Sequence, residues 1–451
     1  MPIPLITKGI TEGLSSIPHI YTVLKFAPWL LLIVALKYYF GGARNGSERL
    51  MHSKVVMVTG GTSGIGASVV YELASRGAQV ILLTQQSQSD IFLIDYIEDL
   101  RKSTGNQLIY AEQVDLSSLH SIRTFATKWI DNVPPRRLDM LVFCATTASP
   151  NSSKRKVTVD GIDEEWQVNY LANFHLLSIL SPALRVQPPH RDVRIIMTTC
   201  SSYIAAPKLD FSQLDSHTIP PNKPTANSRT TTKQSRKPAS TPRPKPKPNR
   251  TRNPQTPKSL FALSKLSLMI FANSFQKHLN AFKRPDGQPP STRVILVDPG
   301  YSRTPGTRRW LTCGSLWGLL LYLLTWPLWW LVLKSPPQGA QSILYAAMEA
   351  RFGRGEGGWM IKECREVDFA RTEITDDGVG KQLWELSERQ IEAMEKEGAV
   401  KRALAKKEKE EEEQMGRSSK AASGSKSASS GGVKEQTAGS RRSRRGNGNK
   451  S

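Results

Sequence analysis

The feature that most constrains this chain is an octapeptide, Thr59-Gly60-Gly61-Thr62-Ser63-Gly64-Ile65-Gly66. It lies between a β-branched run, KVVMVTG, and a helical stretch that begins near Ala67. In that setting each glycine has a separate task. Gly60 permits a tight turn, Gly64 lets the backbone approach a pyrophosphate, and Gly66 lets the helix pack closely on the strand. The free N–H groups and positive end of the helix then face the phosphates. A strand that ends on such a turn belongs to a βαβ unit, so the chain is committed to an α/β fold with a dinucleotide at one strand edge.

The rest of the chain keeps that alternation. AQVILLT, LIYAEQVDL, DMLVFCA, RIIMTTC and RVILVDPG read as further strands, with helices over 67–75 and 89–102. This spacing predicts a doubly wound parallel sheet of the Rossmann type over about 54–391, with helices on both faces. Two segments break the pattern. Residues 221–258 hold eleven Lys/Arg and no Asp or Glu among Pro, Thr and Asn, which predicts a disordered basic insert. Residues 400–451 run from KRALAKKEKEEEE, a charged helix at most, into a Ser/Gly/Lys tail ending in RRSRRGNGNK, which predicts a disordered charged tail. Much of the net charge of +23 sits in these segments. The basic balance is therefore a property of tails, and no specific nucleic-acid partner is expected, although tail contact with anionic lipid or RNA stays open. The four cysteines, Cys144, Cys200, Cys313 and Cys364, are far apart and have no histidine at metal spacing. A reducing compartment and no metal site follow.

Within residues 1–50, the stretch 20–40 reads IYTVLKFAPWLLLIVALKYYF and is long enough to span a bilayer, but Lys25 and Lys37 interrupt it. Without a small-residue cleavage site it predicts an uncleaved anchor, the alternative being an amphipathic surface helix. Lys37, Arg44, Arg49 and Lys54 at or beyond its end place the main domain in the cytosol.

Several motifs in order carry a family likeness. TGGTSGIG resembles the TGxxxGxG fingerprint of the short-chain dehydrogenase/reductase superfamily. Within it, the chain is similar to the retinol-dehydrogenase-like and protochlorophyllide-reductase-like branch, which includes fungal membrane or lipid-droplet oxidoreductases. Val114-Asp115-Leu116 resembles the VDL element, Gln167-Val168-Asn169-Tyr170-Leu171 the QVNxL helix, and Leu383-Trp384-Glu385-Leu386-Ser387 the end of that branch. Asp298-Pro299-Gly300-Tyr301-Ser302-Arg303-Thr304 resembles the PGxxxT turn. The likeness implies that Thr59, Gly60, Gly64, Ile65 and Gly66 cradle a nicotinamide dinucleotide, that Asp115 meets the adenine, and that Pro299, Gly300 and Thr304 hold the nicotinamide. After the second strand, where the ribose 2′ position is read, Leu82-Leu83-Thr84-Gln85-Gln86 offers neither acid nor Arg. Thr84 and Gln85 could bond either ribose form, and the missing carboxylate favours NADP(H) over NAD(H).

The likeness also implies a catalytic set: Asn169 positioning a water, Lys265 holding the ribose, a carbonyl-orienting serine, and a tyrosine acid–base. Register from Arg194-Ile195-Ile196 puts the serine near Cys200, with Ser201 the choice over Ser202. Phe261 stands at the tyrosine position, and phenylalanine has no acidic proton. Phe143-Cys144-Ala145-Thr146 stands where the family has NNAG. Three explanations are open. The domain binds cofactor without turnover; Tyr203, Tyr301 or a water chain through Asn169 and Lys265 supplies the proton; or a retained intron or wrong splice site has inserted the basic segment, which ends three residues before Phe261, and replaced the residues around the tyrosine.

Residues 311–333, LTCGSLWGLLLYLLTWPLWWLVL, carry no charge and meet the length of a span. The motifs on either side resemble parts of one domain, and Pro327 bends the stretch. The expectation is a hairpin or helix pair dipping into one leaflet beside the substrate entrance, with Trp317, Trp326, Trp329 and Trp330 at the interface; a core helix is the alternative. These readings together describe a membrane-attached NAD(P)-dependent oxidoreductase at the cytosolic face of the endoplasmic reticulum or a lipid droplet. Its substrate is a lipophilic alcohol or carbonyl, retinoid-, steroid- or lipid-like, and a homodimer is compatible. The rival is a catalytically impaired cofactor-binding or scaffold protein of the same fold.

Overall fold

The computed structural model describes residues 20–134, 136–150, 156–188, 190–211, 214, 257–284 and 287–426. The chain divides into two compact units, Met1–Glu395 and Lys396–Ser451. The first is built on a sheet of β1 (Val55–Thr59), β2 (Gln79–Thr84), β3 (Ile109–Gln113), β4 (Met140–Phe143), β5 (Val193–Thr198), β6 (Thr292–Asp298), β7 (Trp359–Lys362) and β8 (Arg365–Glu366). Their order is β3-β2-β1-β4-β5-β6-β7-β8. All neighbours are parallel except the β7–β8 pair, an antiparallel edge that the sequence patterning did not anticipate.

The expected strands are all present. β1, β4, β5 and β6 are buried at every position, as β-branched runs covered on both faces must be. Side-chain alternation divides them between two cores. Met57, Leu141 and Ile195 face α4 (Leu119–Ile130), α5 (Ala172–Arg185) and α6 (Pro257–Ala281). Val56, Val142 and Ile196 face α2 (Gly64–Ser75) and α10 (Pro336–Met348). Helix α3 (Ile91–Thr104) is capped by Asp90, whose carboxylate accepts from the Phe92 N–H, and ends on the left-handed Gly105. The strand order reverses between β1 and β4. This is the switch point, and sheets of this kind bind ligands beyond the carboxyl ends of the strands there.

Between β6 and α10 lie three short helices, α7 (Pro305–Leu311), α8 (Leu316–Leu324) and α9 (Trp326–Val332). The stretch 311–333 is thus two helices broken at Thr325. The Thr325 hydroxyl donates to the Leu321 carbonyl (2.7 Å) and accepts the Trp329 indole N–H (2.7 Å), while Pro327 occupies the first turn of α9. Tyr322 stacks on Trp329. The outer side chains are open: Leu316, Trp317 and Leu324 are 84%, 81% and 77% exposed, so a core helix is excluded. A β-bridge between Ser302 and Lys334 joins the two ends of the excursion.

Helix α1 (Ile20–Gly41) forms over the stretch where the sequence predicts an anchor. Its Leu24–Gly41 stretch is, among the described residues, the one helix long and apolar enough to cross a membrane. Helix α11 (Asp377–Lys426) continues past residue 400, so the helical part of the tail is longer than the sequence pattern predicted; its Ala, Lys and Glu are strong helix formers. Residues 427–451 and nearly all of the basic insert, 221–256, lie outside the described residues.

Candidate active site

The glycine turn closes β1 onto α2 at the switch point. Gly60 and Gly64 are left-handed (φ +66° and +60°), a conformation other residues resist. A Cβ on Gly60 would lie 2.8 Å from the Ala145 backbone, and one on Gly66 would lie 2.2 Å from the Gly60 carbonyl oxygen. Thr59 ties the turn to β4: its carbonyl accepts from Cys144 N–H (3.2 Å) and its hydroxyl from Ala145 N–H (3.3 Å). Ser63 precedes α2 in an extended conformation and gives no side-chain cap, so the first-turn N–H groups are left for another acceptor. Ile65 packs toward Gly339 of α10.

A second element beside the glycine turn comes from far along the chain. Thr304 caps α7 and lies 3.2 Å from where a Gly64 Cβ would stand, so the turn that ends at Thr304 meets the glycine turn. After Pro299, the left-handed Gly300 donates its N–H to Asp298 (3.0 Å). At the end of β2, the Thr84 carbonyl accepts from Val114 N–H (2.7 Å), and the Gln85 amide donates to Asp115 (3.4 Å). Asp115 also accepts from the Ser117 N–H and hydroxyl (2.8 and 2.7 Å). No acid stands at Thr84-Gln85-Gln86, but Asp115 is within reach of Gln85.

The catalytic candidates converge on the loop after β4. Asn169 lies in a π turn, Gln167–Leu171, and is fully buried. Its amide pairs with the Thr147 backbone in both directions, accepting from N–H (2.8 Å) and donating to the carbonyl (2.9 Å). Asn173 satisfies the Asn169 carbonyl (2.9 Å), repairing the ladder that the π turn disturbs. Lys265 of α6 is 3% exposed and donates to the Thr146 hydroxyl (2.5 Å) and the Thr198 carbonyl at the end of β5 (3.2 Å). Burial lowers its pKa below the ordinary lysine value, and thiolate charge on Cys200 or Cys144 would act against that. Phe261 lies one helical turn before Lys265, its ring centroid 6.0 Å from Nζ.

Ser201 is placed otherwise than expected. Its hydroxyl donates to buried Asp298 (2.5 Å) and accepts from Lys362 (3.0 Å), and Lys362 pairs with Asp298 (3.6 Å). Cys200, hydrogen bonded to Ser202 (2.7 Å), is the residue of this stretch that acts electrostatically on Lys265. Alternation explains the difference: the chain two residues beyond β5 is still extended at Cys200, so neighbouring side chains point to opposite faces. The two tyrosines considered as substitute acids differ in their surroundings. Tyr203 is buried and accepts from Ala370 N–H (3.3 Å), whereas Tyr301 is 69% exposed.

Four residues take parts that were not foreseen. Thr146 links Lys265 to the loop, and Asp298 with Lys362 braces the start of the turn that runs to Thr304. Glu165 lies under the same loop and accepts from the Ser149 N–H, and burial pushes its carboxyl up to about 7.

Comparison with known proteins follows this geometry. A family model described as short chain dehydrogenase matches residues 54–207. The chain is 41% identical over 399 residues to the uncharacterized oxidoreductase pbr1 of Schizosaccharomyces pombe, covering 88% of this chain and 97% of that one. It is 34% identical over 421 residues to the uncharacterized oxidoreductase YNL181W of Saccharomyces cerevisiae, covering 89% and 95%. It is 28% identical over 359 residues to retinol dehydrogenase 13 of Mus musculus, covering 79% and 90%.

Proposed function

The chain belongs to the short-chain dehydrogenase/reductase family, and from that premise we propose that it is a membrane-attached NAD(P)-dependent oxidoreductase interconverting a lipophilic alcohol and carbonyl. The observation that carries the reading is the meeting of two groups of residues at one strand edge. The glycine turn faces Thr304, and Lys265 and Asn169 grip consecutive residues of the loop after β4. The cofactor fits this chain's cradle. Gly60 and Gly64 keep side chains off the turn, the α2 N–H groups take phosphate, Asp115 and Gln85 border the adenosine, and Pro299 to Thr304 border the nicotinamide. The missing acid at Thr84-Gln85-Gln86 supports NADP(H) over NAD(H). When bound, the nicotinamide supplies or takes the hydride.

The protein's own part is to hold the carbonyl and move a proton. With Phe261 at the family tyrosine position, Lys265 is the proton source in this reading. Its ammonium serves a substrate oxygen directly or through Thr146, and burial eases release of that proton. Asn169 fixes the loop that carries Thr146. Cys200, rather than Ser201, lies on the substrate side and orients the carbonyl. The open apolar faces of α1 and α8–α9 support membrane attachment at the cytosolic face of the endoplasmic reticulum or a lipid droplet, and with it a lipophilic substrate; a retinol dehydrogenase among the relatives is consistent with that class.

Phe261 favours a second reading, a cofactor-binding protein of the same fold with little turnover. The two separate in one experiment. Full-length protein in mixed micelles is given NADPH or NADH and a panel of lipophilic aldehydes and ketones, beside Lys265→Met. The oxidoreductase reading expects turnover that Lys265→Met abolishes. Tight cofactor binding with no turnover across the panel would establish the second reading instead.

A further inference from the structure

Helix α1 and the α8–α9 pair are distant in sequence but leave the Rossmann domain at one place. The Lys37 ammonium donates to the Trp330 carbonyl (2.5 Å) and the Leu333 carbonyl (3.4 Å), and lies 4.8 Å from the Trp330 ring centroid. These carbonyls belong to the last turn of α9, where no intrahelical donor reaches them. Beyond α1 the left-handed Gly42 turns the chain, and Ala43 N–H donates to Glu363 (3.0 Å). Glu363 is paired with Lys334, the residue after Leu333. Asn45 N–H adds a bond to Gln341 of α10 (3.0 Å). The exit of α1 is therefore bonded to the exit of α9, and the two apolar segments form one body.

That body presents a continuous apolar face. Trp29, Leu30, Leu31, Trp317, Leu320 and Leu324 are each 59–81% exposed. Cations gather at its base, with Lys37 and Arg303 close enough to interact and Arg308 and Arg309 on α7 at the start of the hairpin. Apolar side chains above a cationic rim fit the acyl chains and phosphates of a lipid leaflet.

Lengths decide how deep it goes. Nine-residue α8 is about 13 Å long at 1.5 Å per residue, a little under half of a ~30 Å hydrocarbon core. The charge-free run of α1, residues 26–36, is about 16 Å. If α1 stood upright with Lys37 at the interface, Lys25 would lie about 18 Å deep, near the bilayer midplane. A lysine there costs ~2.5–3.5 kcal/mol. Lying obliquely beside α8–α9 within one leaflet, α1 returns Lys25 to the headgroups at no such cost, and Pro28 inside the helix allows a bend.

We propose that α1 and α8–α9 form a single-leaflet anchor, clamped at Lys37, in which α1 enters and leaves the same face of the membrane. The proposal rests on the membrane attachment put forward above and adds its topology. Its test uses the full chain with Cys313→Ser and Ile20→Cys, inserted into sealed microsomes and, separately, bound to triolein droplets coated with a phosphatidylcholine–phosphatidylserine monolayer. A single-leaflet anchor expects a membrane-impermeant maleimide to label Ile20→Cys within about twofold of its level after detergent, and binding to monolayer and bilayer alike. Labelling that requires detergent, or binding to bilayers without binding to monolayers, would overturn it and leave membrane attachment intact. Failure to bind either surface, with cofactor binding retained, would remove the attachment itself. In a third variant, Leu320→Glu with Leu324→Glu, partition onto both surfaces should fall at least tenfold; unchanged partition would show that α8 is not part of the anchor.

Discussion

The most telling perturbation is Phe261→Tyr. Phe261 precedes Lys265 by one turn of α6, and its ring centroid is 6.0 Å from Nζ. A para hydroxyl stands roughly 2.8 Å from a ring centroid, and with Nζ over the ring face it would lie about 6–7 Å from Nζ, a gap that a bridging water or a turn of the side chain brings within a proton relay. Position 261 is half-buried, which leaves a new hydroxyl open to water, so the stability change should stay under about 1 kcal/mol. A positioned general acid contributes about 10²–10⁴-fold, equivalent to about 2.7–5.4 kcal/mol of barrier. If Lys265 already serves as the acid, the gain lies near the lower end. The assay is single-turnover hydride transfer to a lipophilic aldehyde, followed by nicotinamide absorbance, with cofactor affinity measured alongside. A change below about threefold, with cofactor binding unaltered, would refute the idea that position 261 lacks the proton donor.

Other consequences can be measured in the same preparation. Gly66→Ala should gain about 1 kcal/mol of helix propensity but lose about 1–3 kcal/mol or more to overpacking, because the new Cβ would stand 2.2 Å from the Gly60 oxygen; calorimetry should show a lower Tm and a weaker cofactor Kd, and a stabilised variant with unchanged Kd would contradict the tight turn. Because burial lowers the Lys265 pKa, carbonyl reduction should decline, and alcohol oxidation rise, at a pH below the ordinary lysine range; a profile flat up to that range would remove Lys265 from the proton path. Burial raises the Glu165 pKa to about 7, so its contribution to stability is present below pH 4.5 and is lost as pH climbs through 7. Glu165→Gln keeps an acceptor for Ser149 and should raise Tm at pH 8 while leaving it nearly unchanged at pH 4.5; equal effects at both pH values would mean the carboxyl is not titrating there.

The parts of this molecule that were legible in the sequence are those whose constraints are local. KVVMVTG followed by TGGTSGIG specifies strand, turn and helix within a dozen residues, and the structure has β1, Gly60 and α2 in those roles. The Thr304 turn was recognisable for the same reason, because its cap and its left-handed Gly300 are written in consecutive positions. What escaped was set by side-chain direction. Ser201 and Cys200 are adjacent, and a one-residue step along extended chain sends the hydroxyl to Asp298 and leaves the thiol acting on Lys265. Thr146 has no pattern of its own and acquires a role only when α6 brings Lys265 across 119 positions of chain. The β8 edge is two residues long, below what alternation can signal.

The bridge between Ser302 and Lys334 has a wider meaning. It fixes the separation of the two chain ends whatever lies between them, so α7–α9 is a cassette plugged into a closed socket. Lengthening such an excursion is cheap, since doubling a loop adds only about 0.6 kcal/mol of closure entropy. Descendants of this scaffold could therefore exchange the whole segment for another of different length or polarity and inherit the same turn from Pro299 to Thr304 unaltered. The choice of surface on which the protein works, and of molecules that reach it from that surface, would then evolve separately from the machinery that handles the hydride.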